Sequence, residues 1–154
     1  LHKSCIGLSN HVSFSSSACI LFSDTIRNNL LLSNNSIEAS DEKLRTLHKM
    51  FDSTNCMEMQ PDSLVNDTIS NLSDGQKQKI TLMRTLLDNK EIMIFDEPEK
   101  HLDKHSKLSI MNYLSEIKEN KIIIIVSYST EIQDKCDLII NIESPLTEVF
   151  NERA

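Results

Sequence analysis

Glycine is almost missing from this chain. Its 154 residues include two, Gly7 and Gly75, too far apart for G-x-x-x-x-G-K-[ST] or G-x-G-x-x-G to be written anywhere. Such loops hold phosphates because glycine lets backbone N–H groups close in on the anion. Their absence excludes a nucleotide cradle built from this chain alone, so a phosphate has to be met by a helix N-terminus or by a partner. Basic residues are short as well: 16 Lys and Arg against 23 Asp and Glu give a net charge of −7. That balance argues against a general nucleic-acid binder, which needs an electropositive face. Long apolar runs are also lacking. The longest, Ile122-Ile123-Ile124-Ile125-Val126, falls far below the ~20 residues of a membrane span, and residues 1–8, with His2, Lys3 and Ser4, do not read as a signal peptide. Cys5, Cys19, Cys56 and Cys136 have no C-x-x-C spacing and read as reduced thiols of a cytosolic protein. There is no initiator Met, and the chain is expected to begin partway through a longer one.

What is present supports one buried core, with 39% hydrophobic and 25% charged residues. In the Ser-rich stretch 9–17, Val12 and Phe14 alternate with serines, as in a short half-buried strand. Helices are expected at 25–32 and 38–51, and residues 53–71, with Pro61 and many Asn, Asp and Ser, read as an irregular connection. A helix from Ser73 to about Leu87 follows, then an apolar strand at 91–95 ending in Asp96-Glu97-Pro98. Next come a helix over 104–119 with Asp103 as N-cap, a strand at 121–126, a short helix near 131–136 and a strand at 137–142. Strands alternating with helices, and a run as uniformly apolar as 122–126, imply an α/β fold with a parallel sheet buried on both faces.

Two places carry chemistry. Adjacent carboxylates leaving a strand, Asp96 and Glu97, suit phosphoryl transfer: the first can hold Mg²⁺ while the second faces an attacking water. Acidic residues also end strands as plain solvated caps. In Leu72-Ser73-Asp74-Gly75-Gln76, Ser73 and Gln76 form an S-x-x-Q capping box, and the same helix start is a ready anion site. Elsewhere the residues read blandly: His101 and His105 as surface histidines, Lys77 and Lys79 as a solvated helix face, and Met57 and Met59 as core or gap filling.

Taken together, the two places resemble the ATP-binding domain of ABC transporters. Leu72 to Gln76 matches the Leu-Ser-x-Gly-Gln signature, Ile92-Met93-Ile94-Phe95-Asp96-Glu97 the Walker B strand, and Lys100-His101-Leu102-Asp103 the D-loop, usually Ser-Ala-Leu-Asp. The separations from Gln76 to Asp96 and on to Asp103 are also those of the family. Leu21-Phe22-Ser23-Asp24-Thr25-Ile26-Arg27-Asn28-Asn29 and Asp62-Ser63-Leu64-Val65-Asn66-Asp67 look like stretches of exporter-type members. The resemblance covers about 10–142.

The resemblance implies a partial P-loop NTPase-like core with a parallel sheet and an inserted helical subdomain. Residues 1–24 would hold the Q-loop region, 25–89 the helical subdomain with the signature, and 90–154 the Walker B, D-loop and switch-loop part. It implies ATP and Mg²⁺ as ligands, a second ATP-binding domain (the same or a different subunit) and a transmembrane domain as partners, and a place on the cytoplasmic face of a membrane. Asp96 would support Mg²⁺ and Glu97 would polarise the attacking water. Ser73, Gly75 and Gln76 would clamp a γ-phosphate held by the partner domain, and Asp103 would communicate between sites. The departures are as specific as the matches. The Q-loop glutamine falls on Ser17, the switch histidine on Tyr128, and glycine positions on Asp24, Asn66 and Asp74, of which Asp74 is expected to point to solvent. The P-loop and the adenine-stacking aromatic are absent, so the chain alone is expected to be inactive. Two other readings stay open: a non-catalytic binding or regulatory module, and an ATPase of the same superfamily without transmembrane segments.

Overall fold

The computed structural model describes residues 10–32, 40–51 and 72–142. The connection at 53–71, with the exporter-like stretch 62–67, Cys56, Met57 and Met59, lies outside the described residues, as does Cys5. Three strands, β1 (Val12–Ser15), β2 (Ile92–Asp96) and β3 (Ile122–Val126), form a parallel sheet in the order β1-β2-β3. The helices are α1 (Ile26–Leu31), α2 (Ser40–Phe51), α3 (Asp74–Asp88), α4 (Lys104–Ile117), extended by a 3₁₀ turn at Lys118–Asn120, and α5 (Thr130–Gln133). Parallel neighbours need a crossover, and α4 supplies the one between β2 and β3.

The helix ends lie where local chemistry stops them. The Thr25 side chain accepts from the Asn28 N–H at 3.0 Å ahead of α1, and Ser73 and Asp103 cap α3 and α4. Asn89, in the left-handed region at φ 53°, closes α3, its N–H donating to the Thr85 carbonyl. The core gathers on one side of the sheet. Met93 and Phe95 of the central strand are fully buried against Ile80, Leu82, Met83 and Leu86 of α3 and Ile110, Met111 and Leu114 of α4. Leu44, Leu47 and Phe51 of α2 and Ile26 and Leu30 of α1 extend the same cluster.

Three expectations are corrected. Among the described residues the sheet is covered on one face, not two: Phe14, Ile122, Ile124 and Val126 lie bare on the other. Within β1 the inward residues are the serines. Ser13 and Ser15 are buried beside Met93 and Phe95, whereas Phe14 aligns with Ile94 and Ile124 on the open face. Small side chains suit the side on which α3 packs against β1. Finally, 137–142 forms no strand. A strand must hand its N–H and C=O groups to a neighbour, and no strand among the described residues stands beside it; Leu138, Ile140 and Ile142 are exposed.

Candidate nucleotide site

The site forms where β2 ends and α3 begins. Asp96 closes β2, opposite Val126 in the register. The chain leaving β1 turns back so that the Ser17 hydroxyl donates to Asp96 Oδ2 at 2.9 Å. Glu97 adopts φ 47°, a left-handed conformation that costs a non-glycine residue energy and that the surroundings must hold in place. Its N–H continues the ladder to the Val126 carbonyl at 2.9 Å. The buried Gln78 braces the turn from α3: its amide nitrogen donates to the carbonyls of Glu97 and Pro98, both at 3.4 Å, and its oxygen accepts from the Cys19 thiol at 2.7 Å. Burial pushes that thiol up from its ordinary pKa; Cys19 and Cys136 are free cysteines.

The Glu97 carboxylate does not stand alone. Lys100 Nζ lies 2.8 Å from its Oε2, across a turn in which the Lys100 N–H donates to the Glu97 carbonyl. Next to it, the Glu99 side chain accepts a short hydrogen bond from the Ser127 hydroxyl.

The start of α3 forms the capping box expected of Ser73 and Gln76. Ser73 Oγ accepts from the Gln76 N–H at 3.2 Å, and Gln76 Oε1 accepts from the Ser73 N–H at 2.7 Å. Asp74 faces solvent as expected and pairs with Lys77 at 3.3 Å. Gly75 meets the turn after β2: a Cβ there would lie 2.7 Å from the His101 carbonyl oxygen. His101 itself takes φ 60°. The signature-like helix start and the D-loop-like turn are therefore in direct backbone contact.

Asp103 caps α4, its two oxygens accepting from the Ser106 N–H at 2.9 Å and the Ser106 hydroxyl at 2.6 Å. Lys79 comes from α3 to within 3.2 Å of the same carboxylate and donates to the Phe51 carbonyl at 3.2 Å. Lys79 is thus buried, not part of a solvated face: its ammonium joins α3, the end of α2 and the cap of α4. Partial burial alone would raise the Asp103 carboxyl, but the bonds from Ser106 and Lys79 outweigh it and hold the group well below the usual carboxylate range. Tyr128, at the switch-histidine position, is 88% exposed on the segment after β3. Asp96, Glu97, Ser17, Gly75 and Asp103 therefore sit on one connected set of turns, with Ser73 and Gln76 at its edge; Tyr128 is not drawn in.

The sequence places Lys100 in the D-loop match and Lys79 on a helix face without their ties to Glu97 and Asp103, and does not single out Gln78. The Glu97/Lys100 spacing is a visible hint of the first tie. The other two depend on contacts distant in sequence, and nothing local signals them.

Among the described residues no group of three or more His, Cys, Asp or Glu is placed to hold a metal ion, and no helix is long and apolar enough to cross a membrane. An Asp oxygen beside a Ser hydroxyl is nevertheless the oxygen-only donor set that suits Mg²⁺, which binds through one or two carboxylates together with substrate phosphates and water.

The chain is similar to known proteins along most of its length. The family model described as "ABC transporter" matches residues 5–100. The "ATP-dependent lipid A-core flippase" of Yersinia pestis bv. Antiqua (strain Antiqua) is 32% identical over 138 residues, covering 88% of this chain and 24% of that protein. A "Probable ABC transporter ATP-binding/permease protein" of Haemophilus influenzae is 40% identical over 74 residues, 48% of this chain and 13% of that one. In fold, the chain is similar to a bacterial Atm1-family ABC exporter solved with ATP bound, at a TM-score of 0.71 and 22% identity over 82% of this chain and 23% of that one. It spans about a quarter of the length of the curated relative from Yersinia pestis. With the family model matched over more than half of its residues, the chain belongs to the ABC transporter family.

Proposed function

We propose that this chain is part of the ATP-binding domain of an exporter-type ABC transporter, working at the cytoplasmic face of a membrane with a second ATP-binding domain and a transmembrane domain. The observation that carries the reading is the contact between the start of α3 and the turn after β2, with Gly75 against His101 and Asp96-Glu97 at the end of the central strand. Ser73, Gly75 and Gln76 present the N-terminus of a 15-residue helix to a phosphate carried by the partner domain, where backbone N–H groups and the helix dipole favour an anion. Asp96 and Ser17 would hold Mg²⁺, which neutralises charge building on the phosphate oxygens. Glu97 takes the proton of a water as its oxygen attacks the γ-phosphorus and the bond to the ADP oxygen breaks. Asp103 ties the D-loop-like turn to α3 through Lys79 and so links one site to the other. The helices α1, α2 and α3, within the stretch 25–89, would be the part that meets the transmembrane domain. Because residues 1–154 carry no glycine-rich cradle, this stretch by itself binds ATP weakly and hydrolyses none; micromolar binding in a calorimetric titration would contradict that.

The test is Glu97→Gln in the full-length protein. A positioned base is typically worth about 10²–10⁴-fold, so MgATP turnover falls by that order while ATP still binds. Turnover within twofold of wild type removes Glu97 from the reaction. A wild-type protein that turns over no ATP would favour the non-catalytic module, a reading supported by the exposed tyrosine at position 128.

A further inference from the structure

We propose that Lys100 is a positioning residue that restrains Glu97 and sets the turnover rate of the site; the inference rests on Glu97 acting as the base. Three observations carry it. Lys100 stands at the D-loop position where the family pattern has serine, so a cation replaces a small neutral group. Its Nζ is 2.8 Å from Glu97 Oε2, a charge-assisted contact. The pair is also held by the backbone: Glu97 is fixed at φ 47°, and the Lys100 N–H closes the turn onto the Glu97 carbonyl at 3.0 Å. The main chain therefore holds the two residues at the separation that lets the ammonium reach the carboxylate.

The chemistry follows from lone pairs. A carboxylate taking a proton from water needs an oxygen free to face that water within hydrogen-bond reach. Lys100 occupies Oε2, which leaves Oε1 as the oxygen without that contact. Turning Oε2 toward the water therefore means breaking the contact with Lys100. The hydrogen bond itself is to Glu97 and not to Asp96 or the start of α3, so the expected effect falls on kcat.

The experiment is steady-state MgATP hydrolysis by the full-length protein as wild type, Lys100→Met, Lys100→Arg, Glu97→Gln and the Glu97→Gln/Lys100→Met double variant. Methionine keeps the stem and removes the charge. An exposed ion pair of this kind corresponds to about a two- to fivefold change, so Lys100→Met raises kcat by that factor with KM for ATP unchanged. Lys100→Arg stays near wild type, and the gain from Lys100→Met disappears in the Glu97→Gln background. If Glu97→Gln slows turnover but Lys100→Met leaves kcat unchanged or lowers it, the restraint is wrong and the base stands. If Glu97→Gln has no effect, or if no variant hydrolyses ATP, the base is wrong and the restraint falls with it.

Discussion

The Gly75 backbone and the His101 carbonyl are so close that a Cβ on residue 75 would lie 2.7 Å from that oxygen. Glycine is required here by close approach, not by a turn, since no glycine among the described residues takes positive φ. Because the obstacle is backbone, Gly75→Ala has to move the turn at 97–101 or the start of α3. Forcing extra volume into such a contact typically costs about 1–3 kcal/mol. A lower urea midpoint is the expected result, and an unchanged midpoint would show that the turn yields freely.

Asp103 gives the molecule an acid-sensitive cap. Its folded carboxyl lies below the usual range, while in the unfolded chain it titrates near about 3.9. The unfolded state then takes up the proton first, so the stabilisation is complete above the unfolded value and is lost as pH falls through the folded one. Asp103→Asn keeps a good N-cap but removes the charge that Lys79 meets. The variant should have a lower urea midpoint than wild type at pH 7, and the gap should narrow as pH drops below about 4. A gap independent of pH would assign the loss to the cap alone.

Lys43 acts in the opposite pH range. Burial first, and the Lys121 charge second, push its pKa down to about 8, with Asp88 opposing them in part. The unfolded lysine titrates near about 10.4. Between those values the unfolded chain binds more protons, so stability rises with pH across that window. Lys43→Met should flatten the rise in a series of urea midpoints from pH 7.5 to 10.5 (roughly the span between the two pKa values). An identical slope in both proteins would remove Lys43 as its source.

The open face of the sheet separates packing from exposure. Ile124 lies bare on β3, while Met93 is fully buried on β2. Ile124→Thr in residues 1–154 should reduce binding of a hydrophobic dye with a stability change within about 0.5 kcal/mol. Met93→Ala should cost about 2–5 kcal/mol. Equal losses from the two would mean that the open face is covered in solution.

The sequence made legible what local chemistry decides. Ser73 and Gln76 announce their capping box three residues apart. Asp103 announces a cap, and the apolar runs ending at Asp96 and Val126 announce strands that feed short turns. What it left hidden depends on distant neighbours. Alternation in β1 could not say which face is covered, so Ser13 and Ser15 inside and Phe14 outside reverse the natural guess. A lysine on a helix carries no mark of burial, and Lys79 is buried because Asp103 and the Phe51 carbonyl receive it. An apolar stretch such as 137–142 reads as a strand, but a strand exists only with a partner. At the site, residue types were readable while their ties were not: Ser17 to Asp96 and Gln78 to the turn at 97–98 join elements far apart along the chain.

Arg84 has a consequence for ionic strength. Its guanidinium donates to the carbonyls of Asn29 at 2.7 Å and Ile20 at 3.1 Å, and to the Asn29 side-chain oxygen at 3.3 Å. The Phe22 ring lies 6.0 Å away. These acceptors are neutral, so dissolved salt has little charge–charge attraction to screen there. Ion pairs at the surface, such as Lys118 with Asp137 at 2.6 Å and Lys100 with Glu97, weaken once the Debye length shrinks to a few ångströms. Added salt should therefore weaken the Glu97–Lys100 pair while the clasp between α3, α1 and the segment after β1 holds. In this fold the side-chain pair at Glu97 answers to the solvent, and the frame around it does not.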